Sequence, residues 1–138
     1  MDGYIVKKAI NTAMISDMVY GIDDCCFWIS NIIKAHGGQS LVEPFLLYDS
    51  KEKADYSLKQ YGNGGLLEAC QKRAKQLKFK QVVVEDLIDG DIGIVTNANG
   101  HLMALRFNGR WIARTKAGVA YIMDSHTILA WRVPCLQQ

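Results

Sequence analysis

The sequence predicts an α+β fold, with helices first and an antiparallel sheet second. Two observations lead to that reading. Apolar residues recur at helical spacing through the first half of the chain, in segments closed by glycine. From Val82-Val83-Val84 onward the composition turns β-branched, and turn signals become closely spaced. A chain of 138 residues with no internal repeat suits one domain, residues 1–138.

Each element has its own signal. Tyr4 to Met18 reads as a helix, because Val6, Ala9, Ile10, Ala13, Met14 and Met18 share one stripe. Tyr20-Gly21-Ile22-Asp23 reads as a turn, and Asp24 as the N-cap of a second helix. That helix runs to Ala35 or His36 and stops at Gly37-Gly38. Its apolar face is Cys25, Trp28, Ile29, Ile32 and Ile33, spaced i, i+3, i+4, i+7, i+8. Cys26 lies about 100° round from Cys25 and is expected on the flank. Leu41 to Tyr48, with Pro44, reads as an extended connection. Asp49 or Ser50 caps a third helix through Gln60, closed by Gly62-Asn63-Gly64-Gly65, and a fourth covers Leu66 to about Leu77. About five strands follow: Asp91–Thr96, His101–Phe107, Arg110–Arg114, Val119–Met123 and Ile128–Val133. The turns between them hold Asn97-Ala98-Asn99-Gly100, Asn108-Gly109 and Lys116-Ala117-Gly118, of which Asn108-Gly109 predicts a type I′ hairpin.

Charge and cysteine usage exclude several function classes. The net charge is +2, from 16 Lys+Arg against 14 Asp+Glu, which argues for neither nucleic acid nor an anionic membrane as partner. The basic run from Gln71 to Lys80 reads as a solvated helix face. No apolar run approaches the roughly 20 residues of a membrane span. The N-terminal segment lacks the basic-then-apolar plan of a signal peptide, so cytoplasmic synthesis is expected. Cys25, Cys26, Cys70 and Cys135 contain no C-x-x-C pair, and adjacent cysteines seldom bridge each other. His36, His101 and His126 have no ligand spacing, so neither a metal nor a cofactor is expected.

Three short segments carry chemistry. Asp24-Cys25-Cys26 opens a helix, Gly90-Asp91-Ile92 announces a strand, and Gly100-His101 sets an imidazole at the start of the next strand. A thiol at a helix start and a histidine on a following sheet are the two halves of a papain-like cysteine hydrolase site. Unpaired N–H groups and the positive dipole end favour a thiolate at Cys25, so a depressed thiol pKa is expected there. His101 is the candidate general base, returning the proton to the leaving amine. The Cys25 amide and the Tyr20 hydroxyl are candidate oxyanion donors. The Asp24 carboxylate opposes a thiolate, and its capping role is expected to dominate. Taken singly, each residue has a plainer reading. A cysteine on an apolar helix face is usually packing, and a histidine after a turn glycine is usually a satisfied edge residue. Tyr20 taken alone is more often a core aromatic, Trp111 and Trp131 at strand spacing read as core rather than as a ligand platform, and the helix dipole alone explains His36.

The order of segments resembles a known pattern. Tyr20-Gly21-Ile22-Asp23-Asp24-Cys25-Cys26 is similar to the Tyr…Gly…Asp-Cys-Ser segment of NlpC-type cysteine peptidases, a papain-like family that cuts peptidoglycan peptides. Gly90-Asp91-Ile92-Gly93-Ile94-Val95 resembles that family's Gly-Asp-Leu strand. Gly100-His101-Leu102-Met103-Ala104-Leu105 resembles its His-Val-Gly-Ile-Tyr strand, and Asn108-Gly109-Arg110-Trp111-Ile112 its next hairpin. Small phage-borne relatives are closer still, through Tyr48-Asp49-Ser50-Lys51-Glu52-Lys53-Ala54 and Ala130-Trp131-Arg132-Val133-Pro134. The resemblance spans residues 18 to 134.

The resemblance implies a papain-like fold with Cys25 as nucleophile and His101 as base, Cys26 standing where the family has serine. It also implies a peptide or peptidoglycan substrate, a bacterial host, and association with the virion and phage structural proteins. One departure stands out. Ala113 falls where the family has a polar residue orienting the histidine; Asn97, Asn99 and His126 are the alternatives at hand. Two function classes therefore stay open: a cysteine peptidase or amidase, and a non-catalytic phage or virion scaffold that keeps the fold.

Overall fold

A computed structural model describes residues 1–98 and 100–137. Among them are four α-helices: α1 (Gly3–Met14), α2 (Cys25–Ala35), α3 (Lys51–Gly62) and α4 (Leu66–Gln76). Polar caps set most starts. Asp2 accepts from the Tyr4 and Ile5 amides, Asp24 from those of Cys26 and Phe27, and Ser50 from that of Lys53. α1 ends short of the expected Met18. The Met18 N–H is taken instead by the Lys116 carbonyl at 2.8 Å, which draws the chain out of the helix. His36 closes α2, its Nδ1 on the Ile32 carbonyl at 2.8 Å and its Nε2 accepting from the Asp2 amide at 2.9 Å.

The strands are β1 (Lys80–Val82), β2 (Asp91–Asn97), β3 (Gly100–Phe107), β4 (Arg110–Thr115), β5 (Gly118–Ile122) and β6 (Thr127–Arg132). They form one antiparallel sheet in the order β1-β6-β2-β3-β4-β5. The expected strands are all present, but the sheet has six strands rather than about five. The added strand, β1, is a three-residue edge piece in which only Val82 is buried. Asp91 at the start of β2 is fully buried and accepts from Arg132 Nε at 3.0 Å and from the Ile88 amide at 2.9 Å. The Gly-Asp signature thus anchors the centre of the sheet.

The pleat divides the sheet residues between two faces. Ile92, Ile94, Met103, Leu105, Ile112 and Trp131 join Trp28, Ile29, Ile32 and Ile33 of α2 in the main core. Val95, Ala104, Trp111, Ala113, Ile122 and Ala130 form a second cluster on the opposite face. Trp111 reaches across Ala104 toward β2, and its Nε1 donates to Thr127 Oγ1 at 2.8 Å. Gly93 makes room for it: a Cβ there would lie 2.8 Å from the indole and 2.9 Å from the Leu129 carbonyl. Gly93→Ala is therefore expected to destabilise the fold by about 1–3 kcal/mol. Thermal melting checks this, and an unchanged midpoint would show that Trp111 yields freely.

Candidate active site

The start of α2 is built around one carboxylate. Asp24 is only 5% exposed. Its Oδ1 accepts from the amides of Cys26 at 3.1 Å and Phe27 at 3.2 Å, and from the Tyr48 hydroxyl at 3.1 Å. Its Oδ2 accepts from the Gly21 amide at 2.7 Å. The capping role expected for Asp24 is what the geometry gives. Gly21 has φ +81°, and a Cβ there would lie 1.9 Å from the Tyr48 carbonyl, so only glycine fits. The turn carrying Tyr20 is thereby pressed onto Tyr48 and tied to the helix that opens with Cys25.

The two adjacent thiols exchange the roles expected for them. Cys25 is partly exposed, whereas Cys26 is 5% exposed and joins the core. Periodicity places Cys25 on the apolar stripe, but the first residue of a helix has no preceding turn to cover it. Cys26 is covered instead by Leu41, Val42, Phe45 and Cys70, which share a cavity wall with it. The Cys25 thiol donates toward Cys26, and Cys26 in turn donates toward Cys70.

The depressed thiol pKa expected at Cys25 is not found. The hydrogen bond to Cys26 and burial hold this thiol well above its ordinary range, and they outweigh a backbone hydrogen bond from Met103 that favours the thiolate. This correction has a measurable consequence. The rate of Cys25 alkylation is expected to reach its midpoint above that of a free thiol. Cys26→Ala is expected to move that midpoint to lower pH by removing the acceptor. A midpoint indifferent to Cys26 would overturn this assignment of cause.

Met103 connects the thiol to the histidine. His101 precedes it by two residues on β3, so both side chains leave the same face of the sheet, about 7 Å apart along the strand. That face is the one on which α2 packs. His101 itself is exposed, opposite Thr96 in the β2–β3 register. Tyr20 is half-buried, and its hydroxyl is held above its ordinary value by burial. Lys51 opposes that shift, while the nearby Asp24 and Cys25 add to it. Tyr20 thus shares the electrostatic surroundings of the thiol.

The residues named as possible orienting groups fare differently. Ala113 is fully buried in the Trp111 cluster, on the sheet face away from α2. Asn97 ends β2 opposite Gly100, and His126 is exposed in the short turn before β6. Asn99 lies outside the described residues. The buried polar β4 residue on the face of Ile112 is Arg114, two positions beyond it. Both of its terminal nitrogens are committed elsewhere. Nη1 donates to the carbonyls of Ala13 at 2.9 Å and Gly118 at 3.0 Å, and Nη2 to that of Ser16 at 3.0 Å and to Asp23 Oδ2 at 2.9 Å. Arg114 thus fastens the turn before Cys25 to the end of α1. Sequence reasoning missed it, although a lone arginine among Trp111, Ile112 and Ala113 was a signal that a buried cation needed partners.

A family model described as a domain of unknown function (DUF6950) matches residues 5–133. No curated protein matches the chain.

Proposed function

We propose that this chain, which belongs to the DUF6950 family, is a papain-like cysteine hydrolase of the NlpC type. Its substrate class would be a peptide or isopeptide bond of bacterial cell-wall peptidoglycan, in a phage-associated setting. One observation carries the reading. The thiol at the start of α2 rests on the Met103 backbone of the strand that bears His101, with Tyr20 in its electrostatic surroundings.

A thiol held neutral at rest needs its base during attack rather than before it. His101 takes the Cys25 proton as the sulfur–carbon bond forms, and the carbonyl oxygen gains negative charge. The Cys25 amide and the Tyr20 hydroxyl are the donors for that charge. Collapse of the intermediate expels the amine, which receives its proton from His101. Water, deprotonated by His101, then cleaves the thioester and restores the thiol.

The scaffold reading draws on two observations of its own: the raised Cys25 thiol, and the absence of an orienting group from Ala113. Digestion of purified peptidoglycan fragments, followed by mass spectrometry of the products and of the intact protein, separates the two. Cleavage with an acyl group trapped on Cys25 supports the hydrolase. No cleavage of any fragment and no acylation favours the scaffold.

A further inference from the structure

We propose that Tyr48 is a positioning residue of the candidate site: its hydroxyl holds, and draws charge from, the Asp24 carboxylate next to the nucleophile. Its effect on turnover rests on the hydrolase reading, whereas its effect on the thiol rests on geometry alone. Asp24 is 5% exposed and directly precedes Cys25, so bulk water screens this like charge poorly. Among the described residues, three backbone amides reach its oxygens, those of Gly21, Cys26 and Phe27. The Tyr48 hydroxyl, at 3.1 Å, joins them as a side-chain donor from 24 residues downstream. Tyr48 is itself fixed. It is 8% exposed, and its ring meets that of Phe27 edge-on with centroids 5.6 Å apart. Its carbonyl occupies the space beside Gly21. One residue therefore touches the first turn of α2, the capping carboxylate and the turn that carries Tyr20.

Capping does not need this donor, because the Cys26 and Phe27 amides already satisfy the start of α2. The hydroxyl adds two things. A charge-assisted hydrogen bond shares the negative charge of the carboxylate, which lessens its repulsion of the sulfur as Cys25 gives up its proton. It also bars rotation of the carboxylate, whose Oδ2 ties α2 to Gly21 at 2.7 Å. Burial first, and then the neighbouring Cys26 and Asp24, push the Tyr48 hydroxyl far above the ordinary tyrosine range, so it stays a donor through the alkaline range. The other groups around the thiol come from every neighbouring element. They are Cys26 on α2, with Cys70 of α4 sharing its cavity wall, Tyr20 in the turn, with Lys51 of α3 acting on it, and the Met103 amide and His101 on β3. The substitutions that separate Tyr48 and Asp24 leave all of these in place.

The test follows the cysteine Cβ resonances of the full chain, made with isotope-labelled cysteine, as pH is raised. Cys25→Ser identifies the Cys25 signal, and the readout needs no reagent to reach the sulfur. In Tyr48→Phe that signal is expected to begin its move at higher pH than in wild type, because the carboxylate charge is shared less. In Asp24→Asn, which keeps a capping side chain, it is expected to begin at lower pH. In the double variant the effect of Tyr48→Phe is expected to vanish, since no charge is left to share. A purely structural tyrosine would lower the melting temperature and leave these onsets alone, and that result overturns the proposal. So does an onset unmoved by Asp24→Asn, or a Tyr48→Phe shift of equal size in the Asp24→Asn background. Where peptidoglycan fragments are cleaved, kcat of Tyr48→Phe is expected to fall about tenfold with KM near wild type, the mark of lost alignment rather than lost binding. An unchanged kcat there would count equally against it. The titration needs no turnover, so a chain that cleaves nothing refutes the hydrolase reading and still decides the role of Tyr48.

Discussion

Cys25→Ala is expected to lower turnover of peptidoglycan fragments by about 10⁴-fold or more, which places it at background. The melting temperature should change little. Cys25 is partly exposed at the first position of α2, and the cap that starts the helix belongs to Asp24. His101→Ala is expected to cost nearly as much in turnover, and the double variant no more than either single one, because nucleophile and base act as a unit. His101 is exposed, so its removal should also leave folding intact. Cys26→Ser supplies the residue found in the resembling family and is expected to retain activity. Steady-state kinetics of the four proteins decide the matter. Cleavage that survives Cys25→Ala at wild-type rate would remove the nucleophile from the proposal, and with it the hydrolase reading.

Capping and turn chemistry are what made the fold legible. Asp24, Ser50 and Gly37 mark helix ends because their side chains or their permitted dihedrals leave few alternatives. Asn108 and Gly109 both have positive φ, as a type I′ hairpin requires, and Asp89 accepts from both of their amides at 2.9 Å. Elements that depend on distant partners were read less well. Met18 fits the apolar stripe of α1, yet its N–H belongs to Lys116 in the next half of the chain. β1 is too short to show alternation, and its pairing with β6 spans many residues.

The site divides along the same line. Local spacing put Cys25 at a helix start, His101 on a strand and Tyr20 in the turn between helices, and those placements hold. Periodicity gives an angle around a helix but not what covers that angle, so the exposures of Cys25 and Cys26 came out exchanged. A helix dipole can be read from sequence. The sulfur that receives the Cys25 proton cannot, because Cys70 and the segment around Val42 set the position of Cys26.

Arg114→Ala is expected to destabilise the fold by about 3–5 kcal/mol, the range for removing one partner of a buried ion pair. Against a total of about 5–15 kcal/mol for a domain, that places the variant near unfolding at physiological temperature. The arginine is 1% exposed, and its removal strands Asp23 together with the carbonyls of Ala13, Ser16 and Gly118. Its Nε already lies buried with no partner among the described residues, so the pairs at Nη1 and Nη2 must offset that desolvation as well. Arg114→Lys is expected to recover only a small part of the loss, because a single ammonium cannot replace a planar fork that holds two sides of the turn. Urea titration at neutral pH measures both variants, and a midpoint unchanged in Arg114→Ala would show that the network contributes nothing net. The same residue reaches the chemistry through Asp23, which also accepts from the Val19 amide at 2.7 Å and so holds the turn that carries Tyr20. In the cold, where Arg114→Lys remains folded, kcat is expected to fall while KM stays near wild type, since the loosened turn displaces an oxyanion donor rather than a substrate contact. Equal kcat in the folded variant would confine Arg114 to stability.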